Sequence, residues 1–293
     1  MKDSIIFFGT EEFSLVALQA LVENGYPVAA VVTKPDRPQG RGMHLQSPVV
    51  KTYALEHGLP VLQPERLADS EAALAAIPNR IGVLSSYGKI IPESTLALFD
   101  RGIVNIHPSL LPRYRGPSPI ETAIMNGDSQ TGVSLMRLVA KMDAGPVYTQ
   151  TPVEITDSTT ASDLYTICAQ TGSQLLLQSL AAINSGDLTP VPQDETGATY
   201  TGLLNKKDSY VDPQVQTASE IVRHIRAYEL YPRTRLKLGD YDLIITRAHE
   251  GEPTADDLSV QCADTTWLII ETVIAPSGRS VSGSDFKRGY SVN

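Results

Sequence analysis

The sequence predicts an α/β protein in two parts, a doubly wound sheet followed by a small β barrel. Three observations carry this prediction. Within residues 4–33 an apolar run, a helical repeat and a second apolar run follow one another, the strand–helix–strand unit of a parallel sheet. Residues 186–208 are rich in Gly, Pro, Thr and Asp, and no hydrophobic period survives there. Beyond them come one amphipathic helix and several short strands separated by turns. The parts are therefore placed at 1–185 and 209–293, with 186–208 as the linker.

Taken in order, 4–8 is a buried strand closed by Gly9. Thr10 stands where it can cap the next helix, on which Phe13, Val16, Ala17, Leu18 and Leu21 repeat before Gly25 ends it. Residues 28–33 form the second strand. Residues 34–48 read as a long irregular loop rich in Pro and Gly, carrying Lys34, Arg37 and Arg41. Such loops are uncommon in compact domains unless they function, and a surface excursion is the other reading. A helix at 49–57, a short strand at 60–62 and a helix at 71–76 follow. Residues 81–85 are a strand that delivers Ser86, Tyr87 and Gly88 to the sheet edge. A helix at 93–99 opens after Pro92, where a missing N–H costs little. Then come a central strand at 103–106, a helix at 118–125, and strands at 133–139 and 147–153 around a turn at 141–145. The longest helix is 163–183, with Ser162 as its expected cap. After the linker, 217–228 is an amphipathic helix, and 235–238, 241–248, 258–262 and 267–273 are strands.

Bulk properties narrow the function. The chain has 293 residues, 42% hydrophobic and 19% charged, with a formal charge of −9. An acidic balance argues against broad affinity for nucleic acid, though not against a local basic patch. Two cysteines far apart suit a reducing compartment. The short first apolar run argues against a signal peptide, and no run reaches membrane-spanning length, so a cytoplasmic protein is expected. There is no phosphate loop, no G-x-S-x-G elbow, no H-E-x-x-H helix and no dinucleotide fingerprint after the first strand. The five histidines are scattered, so no metal site is expected.

What remains is the stretch 102–116. Asn105 and His107 alternate on the strand at 103–106 and project from its carboxyl end, just before Pro108 stops it. In open α/β sheets that edge binds ligands. An amide can donate to a developing oxyanion, and an imidazole can move protons near neutral pH. A polar strand end satisfied by backbone is the other reading. Asp143, on a Gly-containing turn, either orients the imidazole or simply makes the turn.

Asn105-x-His107-Pro-Ser-Leu-Leu-Pro112-x-Tyr-Arg-Gly116, then Thr131-Gly-Val133 and Asp143-x-Gly145, resembles the 10-formyltetrahydrofolate-dependent formyltransferases. The resemblance covers essentially the whole chain. The segments Phe-Phe-Gly-Thr-x-x-Phe, Val-Thr-Lys-Pro-Asp-Arg-Pro-x-Gly-Arg-Gly and Gly-Leu-Pro-Val-Leu-Gln-Pro look like the methionyl-tRNA branch of that family. So do Ser86-Tyr87-Gly88-x-Ile-Ile-Pro92 and the linker's Gln193-Asp194-Glu195 with Thr199-Tyr200. The chain departs from the family's usual pattern at Pro108, at Tyr114 and at 228–232.

The resemblance implies a Rossmann-like catalytic domain, an OB-like second domain and formyl transfer to initiator methionyl-tRNA, by a monomer without a metal. It assigns Asn105 to the formyl oxygen, His107 to proton transfer and Asp143 to orienting that imidazole. Ser109, Leu110, Leu111 and Pro112 would lie along the folate, with Tyr87 and Gly88 nearby. Gly40, Arg41 and Gly42, with Arg37, would meet the tRNA. In the last domain acidic residues slightly outnumber basic ones, yet Arg223, Arg226, Arg233, Arg235, Lys237, Lys287 and Arg288 could line one face or be scattered. A sugar-nucleotide formyltransferase, sharing Asn105, His107 and Asp143, is the nearest alternative. A non-catalytic RNA- or folate-binding protein is the alternative from another class.

Overall fold

A computed structural model describes residues 4–39, 44–263 and 265–290. Its chain packs as two units. The first comprises Met1–Gly116, Thr131–Val153 and Tyr165–Tyr200, and the second Pro117–Gln130, Glu154–Leu164 and Thr201–Asn293.

The first half of the chain runs β1 (Ser4–Phe8), α1 (Glu12–Glu23), β2 (Val28–Val32), β3 (Arg37–Gln39), β4 (His44–Gln46), α2 (Val49–Glu56) and β5 (Val61–Leu62). It continues with α3 (Glu71–Ala75), β6 (Arg80–Leu84), α4 (Glu93–Leu96), β7 (Ile103–His107) and α5 (Pro119–Met125). Next come β8 (Gln130–Arg137), β9 (Val147–Glu154) and the long α6 (Ala161–Ser185). The first unit is built on a seven-stranded sheet of order β5-β2-β1-β6-β7-β8-β9. From β5 to β7 all neighbours are parallel, and β8 then turns antiparallel to β7. The chain fills one side of β1, returns past it and fills the other. The strand order therefore reverses between β1 and β6, and the carboxyl ends of five strands share one edge. Strands in such a sheet are covered on both faces. Ile5, Ile6, Phe7 and Phe8 are accordingly all buried, and Phe8 meets Tyr87 and Phe99 edge-on.

Three local expectations need correction. Thr10 does not cap α1. The flanking residue is Glu11, which makes no capping bond, and Thr10 instead donates its hydroxyl to the Tyr87 carbonyl at 2.9 Å. Ser162 does not cap α6 either. Thr160 and Asp163 bond reciprocally, each side chain accepting from the other's backbone N–H, so the helix opens at Ala161. The stretch 34–48 is not wholly irregular, because β3 and β4 pair antiparallel as a two-stranded ribbon. Its strands are short and interrupted by Pro38, so no period-2 signal marks them.

The second unit adds α7 (Ala218–Ala227), β10 (Thr234–Leu238), β11 (Tyr241–Glu250), β12 (Leu258–Gln261), β13 (Trp267–Ile274), β14 (Ser280–Ser282) and α8 (Gly283–Gly289). Its antiparallel sheet runs β10-β11-β13-β12, with β14 on β13. This is the small OB-like β domain. Thr217 and Glu220 form a capping box on α7. Ile221 and Ile225 on that helix pack with Leu236, Leu243, Ile270 and Phe286 into one core. The unit also takes α5, since Arg223 donates to the Met125 carbonyl at 3.2 Å. It takes 154–164 as well, where Arg226 donates to the carbonyls of Thr156 and Thr159.

Candidate active site

Asn105 and His107 lie on β7 opposite Met136 and Ser134 of β8, and both are buried. The Asn105 amide makes no hydrogen bond to another described residue, so both its donors remain available. His107 is fixed more firmly. Its Nε2 lies 2.9 Å from the Tyr114 carbonyl. A carbonyl only accepts, so Nε2 carries a proton, and whenever the ring is neutral its lone pair is at Nδ1. That nitrogen stands 3.8 Å from Asp143 Oδ2. Asp143 is thus brought beside the His107 imidazole, and Asn105 lies two positions before it on the same strand.

Asp143 has φ of +46°, a left-handed conformation that a non-glycine residue adopts only when its surroundings hold it there. Its carboxylate accepts from the Gly116 backbone N–H at 2.8 Å. Two residues on, a Cβ at Gly145 would lie 1.8 Å from the Arg137 carbonyl, so this position of the motif admits only glycine.

The segment after β7 is bonded almost atom by atom. Ser134 donates to the Ser109 carbonyl and accepts from the Leu111 N–H. Gln150 donates to the Leu111 carbonyl and to Ser134. Ser109 donates to the Arg113 carbonyl at 2.6 Å. Thr199 serves three residues: its N–H donates to Pro112, its hydroxyl accepts from Tyr114 N–H, and its carbonyl accepts from Arg115 N–H. Leu110 packs against Gly132, where a Cβ would collide with it. Tyr87 presents only its backbone to this edge. Its ring is core, its buried hydroxyl has no partner among the described residues, and burial pushes the phenol up to about 12. Gly88 has φ of +69° and is crossed closely by the Lys34 side chain.

Two family descriptions match the chain, Formyl transferase over residues 2–180 and Formyl transferase, C-terminal domain, over 203–291. The chain belongs to the formyl transferase family. This formyltransferase is 40% identical over 304 residues to the methionyl-tRNA formyltransferase of Roseiflexus castenholzii, covering 99% of this chain and 96% of the relative. It is 33% identical over 303 residues to the methionyl-tRNA formyltransferase of a Sulfurihydrogenibium species, covering 98% and 97%. In fold it is similar to the N-formyltransferase from Helicobacter canadensis crystallised with folinic acid and dTDP-3-aminofucose. There the TM-score is 0.71 at 19% identity, over 92% of this chain and 99% of the other.

Several residues that bond the segment after β7 carry no chemical role that the sequence alone could assign. Ser134, Gln150, Gln193 and Thr199 act across 16 to 87 positions, and only their alternation or motif context marks them at all. Asp36, outside that segment, carries none either. It accepts from Lys51 at 2.6 Å, Gln63 at 2.7 Å and Ser47 at 3.1 Å, which ties down the base of the β3–β4 ribbon. Those hydrogen bonds, Gln63 foremost and then Lys51, hold its carboxyl below the ordinary value. Arg37 lies exposed on that ribbon, whereas Gly40, Arg41 and Gly42 lie outside the described residues.

The basic residues of the second unit divide into two groups. Arg223 and Arg226 donate to backbone carbonyls, Arg235 pairs with Asp242, Lys287 donates to the carbonyls of Ala255 and Asp257, and Arg288 pairs with Asp285. Lys237 lies over the Tyr210 ring at 5.8 Å. Most of the charge that could have formed one basic face is therefore engaged within the fold.

Proposed function

We propose that this formyltransferase carries a formyl group from 10-formyltetrahydrofolate to the amino group of methionine on initiator methionyl-tRNA, for translation initiation. One observation supports this above the rest: relatives 33% and 40% identical, matched over nearly their whole length, bear that name. The folded site supplies chemistry suited to it.

A free amine is already a nucleophile, so neither a covalent intermediate nor a metal is required. The Asn105 amide, uncommitted to other described residues, donates to the formyl oxygen as that atom takes on negative charge. One such donor is worth roughly a hundredfold to a thousandfold. His107 accepts a proton at Nδ1 as the amine bonds to the formyl carbon. It returns that proton to N10 of the folate as the carbon–N10 bond breaks, and the imidazole is regenerated. Asp143 faces the positive charge that the ring holds between those steps. Ser109, Leu110, Leu111 and Pro112, with the backbone of Tyr87 and Gly88, form the wall for the flat pterin. Arg37 and the segment Gly40-Arg41-Gly42 contact the tRNA, where a guanidinium meets phosphates and base edges. The enzyme acts in the cytoplasm as a monomer, with chemistry in 1–185 and tRNA contacts in 209–293 about the linker 186–208.

The test is formyl transfer from 10-formyltetrahydrofolate to charged initiator tRNA, with His107→Ala and Arg41→Ala alongside. The expected result is activity in the natural protein, loss of kcat with His107→Ala and a raised KM for tRNA with Arg41→Ala. A protein that ignores charged tRNA and formylates an amino-sugar nucleotide would keep the chemistry and overturn the acceptor. A protein without turnover on any amine would leave only binding.

A further inference from the structure

Gln193 falls in the stretch that the sequence presents as linker, yet its carboxamide makes four hydrogen bonds. Its Oε1 accepts from Arg115 Nε at 3.0 Å and from Arg115 Nη2 at 2.8 Å. Its Nε2 donates to the Asp143 carbonyl at 2.8 Å and to the Gly145 carbonyl at 2.7 Å. A guanidinium only donates and a carbonyl only accepts, so the amide can sit one way round. Arg115 is itself fully buried, and it also donates to both oxygens of Glu195 and to the Tyr200 hydroxyl. A buried guanidinium must find acceptors, and residues 193–200 supply them.

The other end of this bridge is the turn that carries Asp143. Asp143 sits in a left-handed conformation and is held at its carboxylate by Gly116 and at its carbonyl by Gln193. We propose that Gln193 is a positioning residue for formyl transfer, its carboxamide fixing the 141–145 turn so that Asp143 stays against His107. Arg115 acts by locking that carboxamide. The inference rests on the reading that Asp143 and His107 serve the transfer.

The choice of side chain follows from the bonds. A carboxamide offers an acceptor and two donors on one terminal group. Glutamate at this position keeps the acceptors facing Arg115 and places a second oxygen against two carbonyls. A hydrocarbon of the same length offers neither. Gln193→Glu therefore separates two roles that Gln193→Ala removes together, anchoring residues 193–200 to Arg115 and holding the turn.

The experiment is steady-state kinetics of the full chain on 10-formyltetrahydrofolate and charged initiator tRNA, for Gln193→Ala, Gln193→Glu, Asp143→Ala and the double variant Asp143→Ala/Gln193→Ala. Gln193→Ala is expected to lower kcat on the order of 10- to 100-fold, as misplacement of a reacting group does, with both KM values within about twofold. Gln193→Glu should show the same loss although Arg115 keeps its partner, and it serves if the alanine variant does not fold. The double variant should be no slower than Asp143→Ala alone, because Gln193 acts through Asp143. Losses that multiply in the double variant, or an unchanged kcat in Gln193→Glu, overturn the proposal and leave the functional reading standing. An undiminished kcat in Asp143→Ala overturns the proposal together with the role given to Asp143, whereas absence of transfer by the natural protein overturns the functional reading itself.

Discussion

The segments that follow β7 and β2 leave the same edge of the sheet and are built in opposite ways. From Ser109 to Gly116 the backbone is bonded by Ser134, Gln150, Asp143 and Thr199, residues drawn from distant parts of the chain. Among the described residues of the other segment, β3 pairs with β4, and the side-chain anchorage is at the base, through Asp36. The first arrangement suits chemistry, where reacting atoms must be placed to a fraction of an ångström. The second suits recognition of a large partner, since exposed strands on a fixed base offer a surface apart from the segment that follows β7.

The sharpest test of this contrast lies at the catalytic edge. His107→Ala should lower kcat about 10²- to 10⁴-fold in single-turnover formyl transfer with tRNA binding preserved. A variant that binds tRNA poorly but reacts normally once saturated would show that the two segments are not separate in function. Next in size is Gly145→Ala, which drives a methyl group into the Arg137 carbonyl. It should destabilise the protein by about 3 kcal/mol in thermal or denaturant unfolding, and a neutral result would show that the turn can shift freely. Asp36→Ala acts on the other loop. It removes the acceptor shared by Lys51, Gln63 and Ser47, so KM for tRNA should rise about tenfold with kcat unchanged. A fall in kcat instead would tie the ribbon to the chemistry.

The smallest expected effects are in pH. The hydrogen bond from Arg115, and then that from Lys141, pull the Glu195 carboxyl from its ordinary 4.5 to about 2. A lowered carboxylate contributes its stability above the ordinary value and loses it as pH falls towards the folded one. Backbone exchange across 191–200, corrected for intrinsic rate, should therefore accelerate between pH 4.5 and about 2, and Glu195→Gln should abolish that step. His224 in the second unit behaves as a base. It is buried, its nitrogens engage Thr234 and the Asp208 carbonyl, and burial lowers its pKa below the ordinary 6.5. Its contribution is complete above 6.5 and falls as pH drops below that value. The second unit should then loosen at milder acidity than residues 191–200, and equal onset in both would contradict this.

The parts legible in the sequence are those written in local pattern. Buried parallel strands such as β1 and β7 are continuous apolar runs, and period-2 alternation places Asn105 and His107 together. The 102–116 motif holds its own chemistry in order. The parts that stay silent depend on distance along the chain. Gln193 and Thr199 lie in a stretch with no hydrophobic period because their work is hydrogen bonding to backbone atoms 48 to 87 residues away, which leaves no spacing to read. Elements β14 and α8 escape for a different reason. They are short and rich in Ser and Gly, and they are stable only where β13 and the Phe286 contacts receive them. Thr10 and Ser162 were plausible caps by type, but a single helical residue more or less decides which hydroxyl meets a free N–H.

Both cysteines of the chain, Cys168 and Cys262, are buried, and burial pushes the Cys168 thiol up to about 12. A thiol so placed stays protonated and shielded from alkylating reagents. The native protein is thus a blank background for single-site labelling. A Leu45→Cys substitution on the ribbon, where the native side chain is 68% exposed, would introduce the one accessible thiol among the described residues. A dye attached there would give the recognition arm an optical signal of its own, while every residue of the catalytic edge stays as it is.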